Sequence, residues 1–148
     1  MNDTALTDIE RLMIERACCT LVQHAADAVD AANADELTRL FTGDAQLWRP
    51  GGGLLTGREA ILASYRARTA DRITRHLIAG TSVEVVGAER ARGLSRVLVW
   101  SSSTSEAPGP FGRRATRQVL GAFEDEFVKH GAVWLIAKRH ASFELYTE

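Results

Sequence analysis

The second half of the chain constrains the fold most. Residues 74–86, 90–103, 115–129 and 132–146 are four long segments rich in Val, Leu, Ile, Phe and Trp, residue types that suit a pleated, half-buried surface. Gly87-Ala-Glu89 and His130-Gly131 separate the outer pairs and are short enough for hairpins, whereas the connection over 104–114 is longer. Four such strands in succession read as an antiparallel meander.

Helical signals come before the meander. Thr7 and Glu10 have capping-box spacing, and Ile9, Leu12, Met13, Cys18, Leu21, Val22, Ala25 and Val29 recur at helical intervals, which predicts one long helix over 7–32. Asn33 as N-cap, with Glu36 three residues on, predicts a short second helix over 34–41. Residues 44–49 read as a strand stopped by Pro50 and the turn glycines Gly51, Gly52 and Gly53. Thr56-Gly-Arg-Glu59 reads as a further capping box, opening a third helix to about residue 69. Helices first and strands afterwards is an α+β layout: one domain over 1–148, with the helices gathered on one side of a curved sheet.

The strands carry a further implication. Arg96-Val-Leu-Val-Trp100 and Ala132-Val-Trp-Leu-Ile-Ala137 do not alternate cleanly, so both sheet faces are partly apolar. One face covers the helices; a second copy of the chain is the economical cover for the other, which predicts a homodimer.

Composition excludes several function classes. Eighteen Lys and Arg balance nineteen Asp and Glu, a net charge of −1, without the basic excess of a general nucleic-acid binder. No apolar run approaches the ~20 residues of a membrane helix. The start of the chain shows no signal-peptide pattern, and the adjacent Cys18 and Cys19 suit thiols in a reducing cytoplasm. No P-loop, dinucleotide fingerprint, nucleophile elbow or zinc spacing occurs, and His24, His76, His130 and His140 do not combine into a metal-ligand set. The expectation is therefore chemistry without metal or cofactor.

Asp27 and Asp30, three residues apart near the end of the first helix, share roughly one face. Carboxylates at a helix C-terminus oppose the macrodipole. Two readings stand: both are solvated, or Asp30 points between helix and sheet and meets an imidazole.

These stretches resemble SnoaL-like proteins of the nuclear transport factor 2-like superfamily. The resemblance rests on Ala26-Asp-Ala-Val-Asp-Ala-Ala-Asn-Ala-Asp-Glu-Leu37, Leu40-Phe41, Asp44-Ala45, Thr56-Gly-Arg-Glu-Ala-Ile61, Thr74-Arg-His-Leu-Ile-Ala-Gly80, Gly121-Ala-Phe-Glu-Asp-Glu-Phe127, Trp134-Leu-Ile136 and Arg139. It implies a cone of three helices wrapped by a strongly bent, mixed, mainly antiparallel sheet around an apolar pocket, usually in a dimer. The pattern is most similar to the scytalone-dehydratase and bile-acid-dehydratase-like branch, in which an Asp at the end of the first helix pairs with a strand His. Those positions correspond to Asp30 and His76. The chain departs from the fungal dehydratase in having Val29 where that enzyme has Tyr, and Ser101 near the place of its second His.

The resemblance implies a cofactor-independent lyase or isomerase acting on a small hydrophobic, cyclic, polyketide- or steroid-like molecule. Asp30 and His76 would form its acid/base pair. Val29, Trp48, Tyr65, Ile78, Trp100 and Phe123 are the expected pocket wall. The alternative is a non-catalytic ligand-binding or oligomerisation module, of the kind found as small subunits of ring-hydroxylating dioxygenases.

Overall fold

The structure is a computed structural model that describes residues 5–148. The first helix, α1 (Asp8–Asp30), opens with the predicted capping box: the Glu10 amide donates to Thr7 Oγ1 at 3.2 Å and the Thr7 amide donates to Glu10 Oε2 at 2.7 Å. Its buried stripe is Ile14, Cys18, Leu21, Val22 and Ala25, a run of three- and four-residue steps. Ile9, Leu12 and Met13 were expected to share that stripe, yet all three are exposed. At 100° per residue they fall on the face opposite Ile14 and Cys18, so their apolar character does not serve this core.

Ala32 reverses the chain after α1. Its φ of 54° is left-handed, and the Asn33 amide returns to the Ala28 carbonyl at 2.9 Å, which satisfies helix-end acceptors. Asn33 then caps α2 (Ala34–Arg39) by accepting from the Glu36 amide at 3.1 Å. This helix is shorter than predicted because Phe41 already belongs to strand β1 (Phe41–Trp48), and Ile136 donates its amide to the Leu40 carbonyl. The three glycines form the turn to a short strand not foreseen from sequence, β2 (Leu54–Thr56). That strand corrects the expected capping box. Thr56 pairs with Gln46 in the ladder, so α3 (Arg58–Arg66) begins at Gly57, whose φ is 90°, with no side-chain cap.

The four long strands appear in the predicted order: β3 (Arg72–Gly87), β4 (Arg90–Ser103), β5 (Arg117–His130) and β6 (Val133–Thr147). The sheet order is β2-β1-β6-β5-β4-β3, and every neighbouring pair is antiparallel except β1 and β6, which run parallel. The sheet is thus mixed and mainly antiparallel, with β2 and β3 as its free edges. Bulges after Ile78 in β3, and at Leu120/Gly121 and Glu126/Phe127 in the β5–β6 ladder, mark its bends. Gly121 is required at one of them: a Cβ there would lie 2.3 Å from the Ser142 carbonyl oxygen.

The concave face closes on the helices as an open cone. Its core joins Cys18, Val22, Leu37, Phe41, Ile61, Phe127 and Ile136. The outer face exposes Leu77, Leu94 and Trp100. No helix of the described residues is long and apolar enough to cross a membrane.

The left-handed Ala32 yields a prediction. A Cβ in that region is disfavoured by about 1–2 kcal/mol, partly offset by the greater freedom of glycine in the unfolded chain. Ala32→Gly should therefore raise unfolding stability by about 0.5–1 kcal/mol, read from the midpoint of urea denaturation. A lower midpoint would contradict the assigned helix end.

Candidate active site

At the open end of the cone lies a cavity of about 260 Å³. The chain leaves it unfilled because small residues face it from several elements: Ala25 and Ala26 on α1, Gly121 and Ala122 on β5, and Ala141 and Ser142 on β6. Larger apolar groups bound it, chiefly Val29, Leu47, Tyr65, Val97, Phe123 and Phe143.

Asp30, the last residue of α1, sits between this helix and the edge strand β3 and accepts three hydrogen bonds from it. The His76 amide donates to Oδ2 at 2.7 Å, the Thr74 hydroxyl donates to Oδ1 at 3.0 Å, and His76 Nδ1 lies 2.6 Å from Oδ1. The strand supplies this arrangement naturally. Thr74 and His76 are two apart and share the inward face, and β3 has no neighbour on its outer side to compete for the amide. Both side chains are nearly enclosed, at 14% and 15% exposure for His76 and Asp30. Burial pushes the Asp30 pKa up, but the His76 ring, the His76 amide, the charge of a protonated His76 and the Thr74 hydroxyl outweigh it, holding the carboxyl below its ordinary 3.8.

An ionised Asp30 can only accept, so Nδ1 carries the proton in this contact. His76 borders the cavity, and its Nε2 has no hydrogen-bond partner among the described residues. Such a ring can take a proton from, or return one to, a molecule in the cavity.

Arg139 lies deeper on the same wall. Its Nε and Nη2 donate to the two oxygens of Asp125 at 2.7 and 2.9 Å, and its guanidinium stacks 4.0 Å from the Phe123 ring centroid. The pair is almost wholly buried, and the forked contact fixes the orientation of the arginine. By contrast, Cys18 is not a candidate nucleophile: burial first, then Cys19 and Asp125, push its thiol up to about 12.

Of the residues expected in the wall, Val29, Tyr65 and Phe123 do line the cavity with His76. Ile78 shares the inward face of His76 but packs into the core instead. Two expectations are corrected. Trp48 lies on the outer face, stacked on His140 with ring centroids 6.1 Å apart, because its inward neighbour is Leu47. Trp100 is 40% exposed because Val99 and Ser101 take the inward positions of β4. In both cases strand parity outranks side-chain bulk. Thr74 was missed, although the two-residue strand period places it beside His76. Arg49, Arg68, Arg72 and Arg117 also line the cavity and were not foreseen; only the local run Arg66, Arg68, Arg72 hinted at them.

Mixed sheet, three helices and cavity define a protein of the nuclear transport factor 2-like cone class. Within it, the SnoaL-like domain pattern matches residues 10–140, and the chain belongs to that family. No curated protein sequence matches it. Among solved structures, a scytalone dehydratase candidate from Novosphingobium aromaticivorans is similar at 22% identity and a TM-score of 0.82, over 95% of this chain and 91% of that one. A hexachlorocyclohexane dehydrochlorinase, LinA type 2, is similar at 20% identity and a TM-score of 0.80, over 95% and 92%. The LinA type 3 enzyme from Novosphingobium barchaimii is similar at 20% identity and a TM-score of 0.78, over 95% and 93%. At these identities the likeness establishes the fold.

The depressed pKa of Asp30 has a definite consequence for stability. A carboxyl with a lower pKa when folded stabilises the native state above its unfolded value, and this contribution disappears as pH falls through the folded value. Acid unfolding between about pH 5 and 2 should therefore be shallower in Asp30→Asn than in the parent chain. Equal pH slopes in parallel chemical denaturations would show that the three donors do not favour the ionised form.

Proposed function

We propose that the protein is a cofactor-independent lyase or isomerase in which Asp30 and His76 act on a small hydrophobic, cyclic molecule held in the cavity. The observation that carries this reading is the 2.6 Å contact between Asp30 and His76 Nδ1, made where the ring also borders the cavity. Asp30 holds the ring in one tautomer and stabilises the imidazolium that forms when Nε2 takes a proton. The proton is removed next to a carbonyl or a leaving group and then returned to the departing group or to another carbon. Tyr65 and Arg139 are among the polar groups of the wall that can face developing negative charge. Dehydratase and dehydrochlorinase neighbours on this fold support elimination as the reaction type.

Val29 and Ser101 line the wall, at positions where the resemblance to the fungal dehydratase implies a Tyr and a second His. That observation favours the second reading, a ligand-binding module without turnover. It also makes the fungal enzyme's own reaction the wrong first assay. The exposed Leu77, Leu94 and Trp100 on the outer face support the accompanying proposal of a homodimer, which sedimentation equilibrium tests.

Exchange of α-protons needs only the base and no particular leaving group, so it tests the proposal without a known substrate. Cyclic ketones incubated with the protein in D₂O should incorporate deuterium faster than in buffer, by NMR. His76→Ala should lower that rate by about 10²–10⁴-fold. Exchange that survives in His76→Ala would show that His76 is not the base, and its absence across ketones shown to bind would favour the module without turnover.

A further inference from the structure

The chain as a whole carries a net charge of −1, yet the cavity wall contains five arginines and no carboxylate. One of the five, Arg139, is neutralised by Asp125, and a second, Arg117, pairs with Glu148 at 2.6 Å. The other three converge on the mouth from separate elements: Arg49 follows β1, Arg68 follows α3, and Arg72 opens β3. Among the described residues none of these three has a carboxylate within salt-bridge distance. Arg49 donates to the Ser64 hydroxyl at 2.9 Å, and Arg68 lies 4.2 Å from the Tyr65 ring centroid. Arg66, on the adjoining surface, does have its acid, Asp35 at 2.6 Å.

Gathering like charges at an apolar opening is unfavourable unless something compensates. Burial lowers the Arg68 pKa; Tyr65 works against that shift, while the nearby charges of Arg72 and Arg49 add to it. A ligand anion at the mouth would relieve all of these penalties together, and guanidinium groups suit oxyanions because they donate in a planar fork. The cavity, at about 260 Å³, is small beside the roughly 300–1,000 Å³ of typical ligand sites. It suits a body of one or two rings.

We infer that the ligand of this cavity is an amphipathic organic anion, with an apolar ring system inside and a single carboxylate or comparable oxyanion held at the mouth by Arg49, Arg68 and Arg72. The inference rests on reading the cavity as the ligand site and narrows the substrate to that class. An anchored oxyanion fixes the direction in which the rings enter, and so which carbon meets His76.

Calorimetric titration of the full chain with naphthalene-2-carboxylate, naphthalene-2-carboxamide and 2-naphthyl phosphate tests this. The carboxylate should bind at least about tenfold more tightly than the amide, a preference that weakens with added salt. Arg49→Gln/Arg72→Gln, which alters only rim positions, should abolish the preference, and Arg68→Gln should reduce it. His76→Ala should retain it, so failure of the acid/base reading and failure of this one give different results. Tight binding of the phosphate alone would retain the oxyanion site and assign it to a phosphate ester. Equal affinity for acid and amide, a preference unchanged in the rim variant, or no binding of any of the three would overturn the inference.

Discussion

One carboxylate ties the halves of this molecule together. Asp30 ends α1, and its three donors all come from Thr74 and His76 of β3. The contact spans 46 positions in sequence for the His76 ring and fixes where the helix ends against the free edge of the sheet. It also solves a local problem on each side. The His76 amide at the free edge would otherwise lie part-buried without a partner, and a carboxylate at a helix C-terminus would otherwise face only the unfavourable end of the dipole. The imidazole orientation follows from the same bond. The structure and the proposed chemistry thus depend on one group here, and removing it should disturb both.

The cavity reflects a second balance. Below it the cone is filled by Leu37, Phe41, Ile61, Phe127 and Ile136, all almost inaccessible to solvent. At the open end the same helix and strands present alanine, glycine and serine, and the space stays empty. Filling it with larger apolar groups would add burial at about 25 cal/mol per Å². The sequence forgoes that stabilisation, and instead keeps Arg139 and Asp125 as a buried ion pair, which on its own is weak support for stability. A chain selected only for a stable core has little reason for either feature. Ligand recognition gives a reason for both.

Much of this was legible in the sequence, for identifiable reasons. Capping residues at Thr7 and Asn33, apolar runs in the meander and glycines at 51–53 are local signals, and the elements they predict are present with small boundary shifts. The pairing of Asp30 with His76 was legible only through family resemblance, because nothing local says which helix face will meet which strand. Trp48 and Trp100 lie outside the cavity because strand parity gives the inward positions to Leu47 and Val99. The missed β2 is short and has an exposed–half-buried–exposed pattern, too brief to register as a strand. The arginines of the mouth, Arg49, Arg68 and Arg72, come from three separate elements, so only the folded chain brings them together.

The central claim is that Asp30 and His76 work as one unit on a molecule in the cavity. A double-mutant cycle on the deuterium-exchange rate tests it most directly, comparing Asp30→Asn, His76→Ala and the double variant, each first shown to be folded. If the carboxylate acts through the imidazole, the double variant should exchange no more slowly than His76→Ala alone, leaving a large coupling energy. Rate losses that simply add in the double variant would show two residues acting independently, and would contradict the account.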